Sequence, residues 1–413
     1  MPGKKVIIIG AGAQATVITG VLSEADDVAE ILVTDIDLPR AKELARVNGS
    51  EKVTAEQLDA SDIDAMAKRI QRGRYDLVVN ATIPRFVHNV MKATLKGKAN
   101  YLDMASNEIY PEPDIPIEQF YYAEAFKEAG LMALTGGGGD PGLSNIMAKE
   151  IINDLDEIDT IEIKDYGEIE SEEPVALWSM RTYLEDLYLP PTIWKNGKAE
   201  EVQPFSGEEL YELPPPFKGT GKFYYHDHEE GVTIPLYAGK PMQYCDFKIG
   251  EPGIDMWRFV VEDLDLMSEE PLDIGGCSVS PRDVLFRKAP STVSAGKQIE
   301  LYESGKLQSR LVLICDGTGV KGGERMRYHF WTESPSGAEA CKRLPGTNDV
   351  SWMTSIPASV FALMMLRGQV THTGVFPPEV FSREEITEFY KGINAWGIHV
   401  KREIKPIKKE TAR

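Results

Sequence analysis

Apolar and polar positions fall into regular blocks along the first part of the chain. Short continuous apolar runs bounded by turn residues predict buried strands at Lys5–Ile9, Glu30–Thr34, Asp76–Asn80, Ala99–Asp103 and Leu131–Leu134, with a weaker one at Val53–Leu58. Between them, apolar residues spaced three and four apart predict helices over Ala13–Ser23, Leu38–Val47, Ile63–Arg72, Arg85–Lys96 and Ile117–Ala129. Strand and helix in alternation specify an α/β class fold, a Rossmann doubly wound parallel sheet with right-handed crossovers.

The pattern breaks at TGGGGDPGLSN, Thr135 to Asn145, where a glycine run costs chain entropy that is accepted when backbone must pass close to something. A helix is expected from Leu143 to Asn153 and a strand from Ile158 to Gly167. A long polar, aromatic and proline-rich stretch follows, loop-like over Leu210–Tyr225. Strands are expected at Leu236–Tyr237, Tyr244–Ile249, Met256–Val261, Leu307–Asp316 and Arg325–Thr332. Together they read as an α+β substrate and dimerisation domain with an antiparallel sheet. Helices return at Ser355–Gly368 and Arg383–Trp396, then a short strand at Ile398–Val400 and a solvated Lys-rich tail. The expected division is 1–140, 141–340 and 341–413, with the last part returning to the first.

The candidate chemistry starts at GAGAQA, Gly10 to Ala15, directly after the first strand. Gly10 permits the sharp turn, Gly12 lets backbone approach a pyrophosphate, and Ala15 lets the helix lie close to the sheet. The helix N-terminus then offers free N–H groups to phosphate. Asp35 ends the second strand at the spacing where a carboxylate meets the adenosine ribose, which favours NAD. Arg40 nearby keeps NADP possible. Asp140 sits beside the glycine run at the sheet edge where such folds bind ligands, either as an active-site acid or as a cap for the next helix. Asp103 and Ser106 occupy the same edge, as site residues or as turn formers. His226 and His228 flank Asp227; the HxH spacing puts both rings on one face of a strand, but the sequence names no third ligand, so no metal is expected. The alternatives are a solvent-facing acidic loop or a substrate-contacting His226. Trp178, Arg181 and Tyr183 either line a pocket, with Arg181 clamping a carboxylate, or form the aromatic stripe of a helix. Tyr244 is a further candidate substrate contact, and the acids from Glu168 to Glu173 read as a solvated loop.

Composition narrows the partners. The 413 residues carry 45 Lys and Arg against 65 Asp and Glu, a net charge of −20, which argues against a nucleic acid or an anionic membrane. Four cysteines with no CxxC pair exclude a disulfide scaffold and suggest no zinc site. The chain opens straight into a strand, leaving no room for a signal peptide, and the apolar stretch near Val360–Leu366 is short for a bilayer. A cytoplasmic enzyme is expected.

Several motifs in order resemble the saccharopine dehydrogenase family: GAGAQA, LDASDIDAM (58–66), LVVNATIP (77–84), YLDMAS (101–106), GGGGDPGLSN (136–145), VSPRDVL (279–285) and GVFPPEVF (374–381). The resemblance covers both ends of the chain and fades between Tyr166 and Gly275. It implies cofactor contacts at Gly10, Gly12, Ala13, Gln14, Ala15, Asp35, Asp59, Ala60, Asn80, Ala81 and Thr82. It also implies that the Asp103-Met104-Ala105-Ser106 loop borders cofactor and substrate, and that the Asp140-Pro141-Gly142 turn faces the nicotinamide. It further implies a homodimer and hydride transfer at the amine-bearing carbon of an amino acid or opine-like amine, PGLSN looking most like the lysine 6-dehydrogenase branch. Two other readings stay open: the same fold acting on a non-amine substrate such as an alcohol, or a non-catalytic nucleotide-binding protein.

Overall fold

A computed structural model describes residues 3–112 and 114–408. Its first sheet has seven parallel strands, in the spatial order Gly374–Phe376, Met132–Leu134, Asn100–Leu102, Leu77–Asn80, Lys4–Ile9, Val28–Asp35 and Val53–Gln57. The unbroken apolar run Val6–Ile9 has a simple cause. Val6 and Ile8 pack with helices Ala13–Glu24 and Asp349–Leu366 on one face. Ile7 and Ile9 pack with helices Ile63–Gly73 and Val87–Gly97 on the other. A parallel strand covered on both sides has no polar face to show.

The second sheet has nine strands, centred on the long strands Glu157–Ser171 and Leu307–Lys321. It is mixed rather than wholly antiparallel: Met242–Gly250 runs parallel to Glu157–Ser171, and the other pairs are antiparallel. The chain then goes back to the first sheet. Helix Asp349–Leu366 lies against helix Ala13–Glu24, and Gly374–Phe376 pairs with Met132–Leu134. That helix is longer than the sequence pattern gave, and by length and composition it is apolar enough to cross a membrane. However, 83% of it is buried inside the protein, so it is a core helix.

Several expected elements take another form. Leu210–Tyr225 is a hairpin of strands Glu209–Glu212 and Thr220–Tyr225, not a loop. Leu236–Tyr237 closes a helix, Glu230–Tyr237, whose first six residues are buried, and periodicity cannot separate helix from strand when every side is buried. Met256–Val261 is also helical, with Ile254 and Val261, seven residues apart, buried and Met256 and Phe259 exposed. No strand forms at Ile398–Val400. Instead the Lys-rich tail forms strand Lys401–Pro406 on the second sheet, beside Glu324–Glu333, and does not return to the first. The acids Glu168 and Glu170 belong to a strand that continues to Ser171.

Candidate active site

One cavity of about 1030 Å³ runs along the C-terminal edge of the first sheet and under the second. At its nucleotide end, Gly10 turns off the first strand with φ +100°, and a Cβ there would lie 2.5 Å from the Ala81 carbonyl oxygen. Gly12 caps helix Ala13–Glu24 with no side-chain hydrogen bond, and a Cβ on it would meet nothing within 4 Å. The first-turn N–H groups are therefore uncapped where Gly12, Ala13 and Gln14 line the cavity. Asp35 is fixed at the edge: its Oδ2 accepts from the Ala11 N–H at 2.8 Å and its Oδ1 from the Asp37 N–H at 2.9 Å. Arg40 Nε donates to the Ala11 carbonyl at 3.0 Å. Asp59, Ala60, Asn80, Ala81, Thr82, Met104, Ala105, Ser106 and Pro141 also line the space. Ala15 and Gly142 do not; Ala15 is fully buried against the sheet, and Gly142 (φ +138°) lies against the backbone of Gly138.

These residues fit a dinucleotide: small residues and free N–H groups for the phosphates, and a fixed carboxylate for a ribose. Asp35→Ala should weaken NAD by about tenfold or more, since a hydrogen bond to a charged group contributes ~1.5–3 kcal/mol, and should weaken NADP less. Fluorescence titration of both reduced cofactors measures this, and an equal loss of the two would refute the ribose assignment.

The substrate end is crowded with acids. Asp140, after the glycine run, and Asp165, on strand Glu157–Ser171, lie close enough to shift each other's titration, and both line the cavity. Loss of water pushes the Asp140 carboxyl up to about 7; nearby His228 opposes the rise and Glu230 adds to it. Burial and the charge of Asp140 hold Asp165 well above the carboxylate range. His228 bonds through Nδ1 to Glu230 Oε2 at 3.0 Å and stacks on Phe247, ring centres 3.8 Å apart. Burial alone would lower its pKa, but Glu230, by charge and hydrogen bond, and then Glu229 and Asp140 push it to about 10. His226 is the opposite case: burial and the neighbouring His228 drive its pKa well below the usual value. Its ring is neutral, and its Nδ1 has no hydrogen-bond partner among the described residues. The two rings lie in the loop after strand Thr220–Tyr225, not on a strand; His226 and Glu229 are buried, and Asp227 and His228 are half-buried against the cavity rather than solvent-facing.

Asp103 is buried and accepts from Tyr101 Oη at 2.8 Å, Gln119 Nε2 at 2.9 Å and the Gly136 N–H at 2.9 Å. It therefore holds the start of the glycine turn. Burial lifts Asp186 well above the carboxylate range, and lifts Asp227 to about 7 and Glu229 to about 6; Glu229 also accepts from the Ser106 N–H. Trp178 and Arg181 line the cavity, with Arg181 Nε and Arg282 Nη2 sharing Glu185 Oε1 at 2.9 and 3.0 Å. Tyr244 does not line it. The Tyr244 side chain points to the other face of its strand, bonded to Asp246 at 2.8 Å and to Tyr225 at 2.7 Å. On a strand of period two, Phe247 toward the cavity puts Tyr244 away from it.

Sequence reasoning missed Asp165, Asp186, Glu229, Glu230 and Glu251. Twelve acids and four arginines line the cavity, with no lysine. Glu229 and Glu230 also bring ligand atoms within 4.8 Å of one another and of His228, but each already holds a hydrogen-bond partner.

Comparison with known proteins adds the following. Residues 6–134 match the model of the saccharopine dehydrogenase NADP binding domain, and residues 138–398 match that of the saccharopine dehydrogenase C-terminal domain, including the span where the motifs fade. A carboxyaminopropylagmatine dehydrogenase of Synechocystis sp. is 26% identical over 91% of this chain and 92% of its own. A carboxynorspermidine synthase of Vibrio alginolyticus is 27% identical over 83% and 81%. Among solved structures, the L-Glu-forming saccharopine dehydrogenase of Saccharomyces cerevisiae superposes with TM-score 0.71 at 17% identity, covering 98% of this chain and 100% of that one. A homospermidine synthase of Legionella pneumophila, solved with NAD, gives 0.70 at 12%, covering 99% and 93%.

Proposed function

Because the chain belongs to the saccharopine dehydrogenase family and is an NAD(P)-dependent oxidoreductase, we propose that it acts on the C–N bond of a polyamine-type substrate that also carries a carboxylate. The observation that carries this reading is the substrate end of the cavity, where Asp140, Asp165, Asp186, Asp227, Glu229 and Glu251 face Arg181 and Arg282. Such a wall attracts chains bearing several ammonium groups and repels anions. The names of the relatives, a carboxynorspermidine synthase and a carboxyaminopropylagmatine dehydrogenase, point to the same class. Lysine, with two amines and a carboxylate, has a related charge pattern and belongs in the same substrate panel.

In this reading the Gly10–Gln14 turn would hold the pyrophosphate of NAD(P), whose nicotinamide would supply or accept the hydride. The protein does the rest. Asp140 and Asp165 hold the reacting ammonium, and the neutral His226 hydrogen-bonds an uncharged oxygen or nitrogen of the substrate. Asp103 positions the turn that carries Asp140. Trp178 and Tyr183 cover the methylene chain, and Arg181 with Arg282, two guanidiniums sharing one carboxylate of Glu185, takes the substrate carboxylate. The same reading includes a homodimer in the cytoplasm, and light scattering during gel filtration checks the dimer.

A panel of diamines, agmatine, lysine and monoamines, each mixed with a carboxylated aldehyde and NADH or NADPH, tests the proposal. Diamines should be turned over at least about tenfold more efficiently than monoamines of equal length, as loss of one buried charge-assisted contact implies. Oxidation of hydroxy acids with no response to any amine would replace this reading with an alcohol dehydrogenase of the same fold.

A further inference from the structure

His228 was not among the catalytic residues expected from the sequence, yet its setting differs from that of every other side chain in the cavity. Glu230 opens helix Glu230–Tyr237 and is fully buried. Its Oε1 accepts from Ser144 Oγ at 2.7 Å, and its Oε2 meets His228 Nδ1 at 3.0 Å. Phe247 stacks on the imidazole with ring planes 6° apart. A buried carboxylate behind one ring nitrogen and an aromatic plate beneath fix the ring and leave Nε2 as the nitrogen offered to the cavity. His226, next to it, is neutral and has no proton to give as an acid.

We propose that His228, held by Glu230 and Ser144, is the proton donor that releases the hydroxyl of the carbinolamine as water when amine and aldehyde condense. This rests on the amine reading above. The substrate ammonium passes one proton to ionised Asp140. Its nitrogen then forms the C–N bond to the aldehyde carbon, and a proton moves from nitrogen to the former carbonyl oxygen. His228 Nε2–H protonates that hydroxyl, the C–O bond breaks, and the nitrogen lone pair closes the C=N bond of the iminium. Asp140 returns its proton to His228. One ammonium and one aldehyde give one iminium and one water, with no net change in the protein and no electron transferred. The groups facing His228 are Asp140 from the glycine turn, Asp165 from the central strand and Asp186 from helix Met180–Tyr188, together with His226, Asp227, Glu229 and Glu230 of its own segment. The acids in that set favour its charged form; His226 opposes it only weakly, being neutral.

Two variants and two readouts test this on the full-length enzyme. His228→Asn should lower kcat by about 100-fold, the usual size of a lost general acid, with amine KM unchanged or lower because a positive charge has left the cavity. Glu230→Gln keeps the shape but removes the charge behind the ring. It should move the alkaline limb of the kcat profile toward neutral pH, and it should move the His228 ring titration, followed by NMR without cofactor, in the same direction. A wild-type kcat in His228→Asn, or an alkaline limb and ring titration unmoved in Glu230→Gln, overturns the proposal. If the wild type ignores every amine, the substrate reading fails first. If it uses amines and only the variants behave normally, this assignment alone fails. Should His228→Asn not fold, judged by cofactor affinity, Glu230→Gln decides.

Discussion

Asp140→Asn should cut turnover by about 100-fold or more while the affinity for NAD(P)H stays within about twofold of wild type. The carboxyl is paired with Asp165, faces His228 across the cavity and is pushed up to about 7. Asparagine keeps its size but can neither accept a proton nor hold an ammonium by charge. The nucleotide end is built from other segments, so binding there should barely change. The same group sets a pH dependence. A carboxyl titrating near 7 is protonated below that value, so amine KM should rise as pH falls through about 7 and level off above it. Steady-state kinetics from pH 5 to 9 check both statements. The pair titrates as a unit, so the midpoint belongs to Asp140 and Asp165 together. Normal turnover in Asp140→Asn would reduce this residue to a part of the turn.

Gly142→Ala should be the most damaging single methyl in the molecule. Gly142 sits at φ +138°, where side chains are strongly disfavoured, and an added Cβ would lie 2.0 Å from the Gly138 carbonyl oxygen and 2.4 Å from the Gly138 nitrogen. Both neighbours are backbone, held by the bond from the Gly138 N–H to the Pro141 carbonyl at 2.7 Å and by that from the Leu143 N–H to the Gly138 carbonyl at 3.0 Å. Backbone strain and overpacking, each worth about 1–3 kcal/mol, act together here. A loss of about 3 kcal/mol or more in urea unfolding is expected, with activity falling further because the turn carries Asp140. An unchanged unfolding midpoint would show that the turn can open without cost.

The strand Lys4–Ile9, the Gly10 turn and the helix Ala13–Glu24 were legible because their pattern is local: a buried strand, a tight turn and a helix start need particular small residues in a fixed order. Asp35 follows from the end of the next strand, while Asp59, Ala60, Asn80, Ala81 and Thr82 were named through the family resemblance. The substrate end was not legible in the same way. Glu229 and Glu230 stand in YYHDHEE, which reads as a charged loop, and only the tertiary fold buries them, Glu229 against the Ser106 N–H and Glu230 against Ser144 and His228. Asp165 lies in the strand IEIKDYG, where alternation alone leaves open which face meets a cavity. Tyr244 illustrates the same ambiguity: one residue of parity separates a cavity residue from one bonded to Asp246 on the far face. The helix at Ile254–Arg258 was readable in principle, since Ile254 and Val261 repeat at two helical turns, but aromatic and β-branched residues between them gave a strand signal.

The return of the chain to its first sheet has a consequence for biosynthesis. The sheet begins with Lys4 and is completed only by Gly374–Phe376 beside Met132–Leu134. While the ribosome is still making the intervening segments, the nascent nucleotide fold has an open edge and lacks the covering helix Asp349–Leu366. This half of the molecule is therefore completed only once Phe376 has been made, and a chain stalled short of it presents unpaired backbone and bare apolar surface to chaperones and proteases.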